Sequence, residues 1–232
     1  MDITSQGKLF LVPTPVGNLD DITGRALAVL KEVAMIACED TRRSGQLLHH
    51  FGISTKRVSY FEHNETKRIP QILTLLQQGS SVAVISDGGS PGLSDPAYRI
   101  VTAAIASGIV VEALPGATAL IPALTASGLP TDRFFFEGFL PVKPGRRRRR
   151  LQQLRDYPHT LVIYESVHRI RKTLADIAEL FVDRPVCIAR EISKIHETYY
   201  RGTASEVATA LGDEELRGEF VIVIAGNKNA EE

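Results

Sequence analysis

A chain of 232 residues, 44% hydrophobic and 23% charged, can bury a sizeable core in one large or two modest domains and carries no signature of disorder. Its 27 Lys and Arg balance 27 Asp and Glu, which excludes a polycation, so any nucleic-acid affinity must come from a local patch. Two cysteines in apolar runs, Cys38 and Cys187, exclude a disulfide framework. No stretch reaches the ~18–20 apolar residues of a membrane span, and MDITSQGKLFLVP does not read as a signal peptide. A soluble, cytoplasmic protein is expected.

In chain order, Leu9–Val12 reads as a buried strand ended by Pro13-Thr14-Pro15. Apolar residues at Ile22, Ala26, Val29, Leu30 and Val33 then recur at helical spacing. A second strand spans Met35–Cys38, followed by Glu39-Asp40-Thr41-Arg42 and a helix to about Phe51. Arg57–Phe61 suggests a third strand, and Ile69–Leu76 a helix with Pro70 near its start. Val82–Ile85 is a continuous apolar strand of the kind buried on both faces of a parallel sheet. It runs into SDGGSPGLSDP (86–96), where Asp95 suits an N-cap and Pro96 the first position of the helix that follows. Ile109–Leu114 is a fifth strand, closing on Pro115-Gly116-Ala117-Thr118.

After GLPTD (128–132) the pattern changes. Strand-like runs fall at Arg133–Phe139, Thr160–Tyr164, Val186–Ala189, Glu197–Tyr200 and Phe220–Ile224. Helical spacing links Val167, Ile170, Leu174, Ile177 and Phe181, with Ser166 placed as N-cap. These elements predict an α/β protein of two domains: residues 1–131 around a parallel sheet, residues 132–226 around a smaller mixed sheet, and a polar tail over 227–232.

Glycine allows positive φ and close backbone approach, so SDGGSPGLSDP is either a tight turn or a ligand loop gripping through main-chain groups. Its place after a central strand, beside Pro13–Asn18, Glu39–Arg42 and Pro115–Thr118, favours a ligand, because all four loops converge on the carboxyl edge of one sheet. It is neither GxGxxG nor GxxxxGK[ST], so the usual dinucleotide and phosphate fingerprints are absent. The six histidines form no HExxH and the cysteines no pair, so no metal is expected. Lys143 and the five arginines Arg146, Arg147, Arg148, Arg149 and Arg150 would repel one another without an anion nearby, which favours phosphate contact over a plain solvated face.

Taken together, PTPVGNLDD (13–21), ACEDTR (37–42), SDGGSPGLSDP (86–96), PGAT (115–118), SGLPTDRFFFEGFLP (127–141), ESVHR (165–169), REISKIHE (190–197) and GEFVIVI (218–224) resemble the rRNA (cytidine-2′-O)-methyltransferases of the tetrapyrrole methylase superfamily. The resemblance runs in order over nearly the whole chain. One departure is Val167, where that family usually has proline. The resemblance implies two α/β domains with S-adenosylmethionine folded in the cleft between them, a homodimer, no metal, and a cytidine of 16S rRNA in the decoding region as target. It implies cofactor contacts at Pro15, Gly17, Asp87, Gly88, Gly89, Pro91, Gly92, Thr118, Ala119, Glu165 and Ser166. RNA contacts are expected at Arg42, Lys143, Arg146–Arg150 and Arg169.

The 2′-hydroxyl proton needs a handler, and the ligand edge offers Glu39, Asp40, Asp87, Glu165, Glu191 and Lys194. Asp40 is preferred, with Lys194 and Glu191 behind it, although Asp40 also suits an N-cap for the helix from Thr41. Two rivals stand beside this reading: a methylase of a porphyrin-like small molecule, which has no need of the arginine run, and a non-catalytic RNA-binding module, which has no use for a Gly-rich acidic loop.

Overall fold

The computed structural model describes residues 6–212 and 216–227. The chain divides into two compact units, the first ending at Thr118 and the second beginning at Ala119. The expected boundary near residue 131 falls later than this division. The reason is α5 (Leu120–Thr125), whose Leu120, Ala123 and Leu124 pack with Val162, Cys187 and Val221 of the second unit's sheet. Most of the expected polar tail lies outside the described residues.

The first unit holds five strands, β1 (Leu9–Leu11), β2 (Met35–Cys38), β3 (Arg57–Ser59), β4 (Val82–Ile85) and β5 (Val111–Ala113), all parallel in the order β3-β2-β4-β1-β5. Apolar runs such as VAVI are buried on both faces because helices cover both. On one face, α1 (Gly24–Glu32) and α2 (Thr41–His50) place Ala26, Leu30 and Leu48 against Ile36, Ala83 and Ile85. On the other, α3 (Glu65–Gln77) and α4 (Ala97–Ala106) place Ile72, Leu76 and Ile100 against Leu9, Ala37 and Val84. The neighbouring strands β1 and β4 therefore send their following helices to opposite faces. Such a divergence opens a crevice at the carboxyl edge of a sheet, where ligands bind in open α/β folds.

Local signals set the helix ends. Thr23 Oγ1 accepts the Ala26 N–H at the start of α1, and the Asp40 carboxylate accepts the N–H groups of Arg42 and Arg43 at the start of α2. Helix α4 begins one residue later than expected, at Ala97, with the Asp95 carboxylate accepting the Ala97 N–H.

The second unit contains β6 (Phe134–Phe139), α6 (Pro144–Leu154), β7 (Thr160–Ser166), α7 (Ile170–Leu180), β8 (Pro185–Arg190), β9 (Thr198–Thr203), α8 (Ala204–Ala210) and β10 (Glu219–Ile224). Its sheet has the order β6-β7-β10-β8-β9, with β6 and β7 parallel and the other pairs antiparallel. Ser166 is the last residue of β7 and not the cap of α7; the intervening turn delays the helix to Ile170. Among the described residues no helix is long and apolar enough to cross a membrane.

Candidate functional site

In the first unit the crevice between the β1 and β4 loops is tied shut at its base. The Thr14 N–H donates to Gly89 O (3.0 Å) and the Gly89 N–H returns to Thr14 O (2.8 Å). Thr14 Oγ1 donates to Ser86 O, Ser86 Oγ to Gly89 O, and Ser90 Oγ to Ala117 O of the loop after β5. These bonds bring three of the four expected loops together. Gly89 sits at φ +90°, a backbone conformation that favours glycine, and an added Cβ would only touch Val16 Cγ1 at 3.4 Å, so the turn is what calls for glycine here. Gly92, at φ +93°, faces open space, and its N–H is held by both oxygens of Asp95 at 2.7 and 2.8 Å. The Gly88 N–H meets no acceptor among the described residues and remains available to a ligand.

Carboxylates gather around this loop. Asp87 accepts the Asp40 N–H and an Arg43 Nη1 donor, each at 3.2 Å. The Arg42 side chain, then the Arg42 and Arg43 N–H groups, hold the Asp40 carboxyl below the ordinary carboxylate range. Its partners identify it as a cap, and a weak base. Glu39 behaves oppositely: burial, then the charges of Asp87 and Asp95, push its carboxyl up. Pro15, Val16, Gly17, Ser86 and Asp87 line a cavity of about 410 Å³ together with Ser44. Ser44 is buried, and its Oγ has no oxygen or nitrogen partner, only the weakly bonding Cys38 thiol beside it.

Thr118 and Ala119 are the last and first residues of the two units, and Pro91 is buried beside Ser90. In the second unit the expected residues form two internal networks. The fully buried Glu165 carboxylate accepts the Ser166 N–H (2.8 Å), Thr173 Oγ1 (2.6 Å) and Arg169 Nη2 (2.7 Å), while Arg169 Nη1 donates to Leu140 O. Arg169, expected to meet RNA, is thus committed to holding the end of β7. Glu191, at φ +55°, accepts Lys194 Nζ (2.8 Å) and the Glu219 N–H (3.0 Å). Burial works against the charge on both members, but the Lys194 ammonium outweighs it at Glu191, whose carboxyl is lowered, and Glu191 with Glu219 outweighs it at Lys194, whose amine is raised. Lys194 therefore stays an ammonium and cannot act as a base near neutrality.

The arginine run is sorted by helical geometry. Arg147 shares the buried face of α6 with Leu151 and Leu154, and its Nε donates to Asp176 of α7 at 2.7 Å. Arg148 bridges Asp176 and Glu179, and Arg150 is bidentate to Glu137 of β6. The anions that five adjacent guanidiniums require are supplied largely from within the protein. Only Arg146, Arg149 and Lys143 of this segment are exposed without an acidic partner among the described residues. Reading the sequence missed Thr14, Arg43 and Ser44. The signal for the last two was their position one turn after Asp40, on the side of α2 that reaches the β4 loop.

A family model described as Tetrapyrrole (Corrin/Porphyrin) Methylases matches residues 8–208. The chain belongs to this family. Among tetrapyrrole methylase relatives, the ribosomal RNA small subunit methyltransferase I of Streptococcus pyogenes serotype M1 is 47% identical over 97% of this chain and 78% of its own length. The protein of that name from Pseudomonas aeruginosa is 48% identical over 96% of this chain and 80% of its own. The solved cobalt precorrin-4 methyltransferase superposes with a TM-score of 0.71 at 18% identity over 97% of both chains. Uroporphyrin-III C-methyltransferase from Thermus thermophilus, in complex with S-adenosylhomocysteine, gives 0.64 at 22% identity over 97% of this chain and all of that one. Both solved structures establish the tetrapyrrole methylase fold.

Proposed function

We propose that this chain is a methyltransferase that uses S-adenosylmethionine to methylate the ribose 2′-hydroxyl of a cytidine in the decoding region of small-subunit rRNA. The observation that carries this reading is the 47% identity, over 97% of the chain, to a protein named for methylation of that RNA. The motif resemblance of the sequence supports the cytidine and the 2′-oxygen as target, together with a cytoplasmic homodimer as the working form.

The first unit's loop suits the cofactor's chemistry. S-adenosylmethionine supplies a methyl group on a positively charged sulfur, and Glu39, Asp40, Asp87 and Asp95 make this edge acidic, with Arg43 of the cavity lining already paired to Asp87. The bare, unbonded Gly88 N–H and the cavity beside Pro15, Gly17 and Asp87 provide main-chain and carboxylate contacts. Gly89, Pro91 and Gly92 shape the loop, and Thr118 and Ala119 add contacts at its border. Glu165 and Ser166 would contribute through main-chain atoms, since the Glu165 carboxylate is occupied.

Positioning supplies most of the acceleration when the methyl donor is already activated. Asp40, held at low basicity, would orient the ribose hydroxyl, whereas Glu39, with its raised carboxyl, is the better proton acceptor at this edge. Of the expected cations, Arg146, Arg149 and Lys143 are exposed and left for phosphate contact, while the exposed Arg42 is already paired to Asp40. Purified protein given labelled S-adenosylmethionine and small ribosomal subunits from cells lacking it should transfer label to a cytidine ribose. Label in protein, in a base, or nowhere would refute the reading.

A further inference from the structure

We infer that the acid-free groove between α2 and β3 of the first unit docks the phosphodiester backbone of the RNA substrate; the inference rests on the proposed rRNA substrate. From Thr41 to Phe61 the sequence contains no Asp or Glu, yet carries Arg42, Arg43, His49, His50, Lys56 and Arg57. In a chain whose charges balance overall, such a segment concentrates positive potential along one edge of the sheet. The fold then divides these cations. Arg43 is bonded to Asp87 and Arg42 to Asp40, but Arg57, exposed on the edge strand β3, forms no hydrogen bond or ion pair among the described residues.

Gly45 faces that guanidinium. A Cβ built on it would lie 3.5 Å from Arg57 Cζ and Nη2, in ordinary contact, and its backbone is helical with no positive φ. Nothing in the conformation of α2 requires glycine, which is a poor residue for a helix interior. Its effect is to keep the groove wall low beside Arg57. The groove, about 790 Å³, is lined by Arg42, Gln46, His49, Ser54 and Arg57 among others, with no carboxylate. It also lacks a tyrosine, phenylalanine or tryptophan on which a base could stack. Forked guanidinium donors, a hydroxyl and an amide without a stacking surface match phosphate oxygens rather than bases.

Two variants test the site. Arg57→Ala removes the groove's guanidinium that has no partner among the described residues. Gly45→Glu favours the helix and introduces an acid against Arg57. Binding of the full-length protein to protein-free rRNA and to unmodified small subunits is measured across salt, with S-adenosylmethionine affinity and melting temperature as controls. Arg57→Ala should flatten the slope of log K against log salt by about 0.7–0.9, the value of one phosphate contact. Gly45→Glu should flatten it at least as much, with cofactor affinity unchanged and the melting temperature no lower than that of the wild type. Slopes parallel to wild type would overturn the inference while leaving the methyltransferase reading standing. A defect seen with subunits but not with protein-free rRNA would assign the groove to an acidic protein surface and also overturn it. Absence of salt-dependent RNA binding by the wild type, with cofactor binding intact, would remove the rRNA reading itself.

Discussion

Gly89 and Glu39 carry the account at the scale of single residues. At φ +90° with Val16 Cγ1 close by, Gly89→Ala should lose ~1–3 kcal/mol of stability in a urea titration, the usual range for a side chain held in a glycine conformation. Loss of the pairing with Thr14 should accompany it, seen as faster exchange of the Thr14 amide. Glu39 gives a pH-dependent prediction. Its folded carboxyl titrates above the unfolded one, so its contribution to stability is complete below the unfolded value of about 4.3 and is lost as pH rises through the folded value. Glu39→Gln should therefore be more stable than wild type at neutral pH, with the gain vanishing below about pH 4. If Glu39 accepts the hydroxyl proton, that same variant loses ~10²–10⁴-fold in single-turnover rate. A Glu39→Gln protein with normal turnover would return the role to Asp40. The opposite shifts of these adjacent acids were not legible in ACEDTR, because one arises from how the Arg42 side chain and the capped N–H groups fold back on Asp40, and the other from burial of Glu39 and then from the acids of the β4 loop. Gly218 is a similar case: a Cβ there would come within 2.3 Å of the Glu191 carboxyl, a contact that only the fold reveals.

Among the elements, α6 shows best what a run of like residues conceals. Arg147, Leu151 and Leu154 recur at helical spacing and are all buried, so the sequence did contain the sign that Arg147 points inward. What spacing could not show was Asp176 on α7 waiting for it. The Arg147 and Asp176 side chains are 5% and 10% exposed, and removing one partner of such a buried pair costs roughly 3–5 kcal/mol. Arg147→Ala should fall near the lower end in chemical denaturation, since Arg148 still reaches Asp176. Arg146→Ala with Arg149→Ala should instead leave stability within about 0.5 kcal/mol, as expected for exposed positions, and flatten the salt dependence of RNA binding by about 0.7–0.9 per contact. If all these substitutions destabilised alike, the division of the run would be wrong. The strands were easier: MIAC and VAVI were placed correctly because uninterrupted apolar runs bounded by turns admit few alternatives. The start of α7 was misplaced because Ser166 resembles a cap, yet extends β7.

For the molecule as a whole, the two α/β units and the acidic loop edge of the parallel sheet were legible in the sequence, whereas the strand order β3-β2-β4-β1-β5 was not. Strand order follows from which face each crossover helix covers, and helical spacing does not say that. The position of α5 in the second unit has the same cause, since LIPALT is apolar enough for either core. Family membership rests on the match over residues 8–208 and on near-complete coverage by close relatives. The central claim, ribose methylation of one cytidine in small-subunit rRNA, is tested most directly by mapping 2′-O-methyl groups at nucleotide resolution on rRNA from cells with and without this protein. One cytidine of the decoding region should lose its 2′-O-methyl group and regain it when the wild-type chain is restored. Identical maps from the two strains would contradict it.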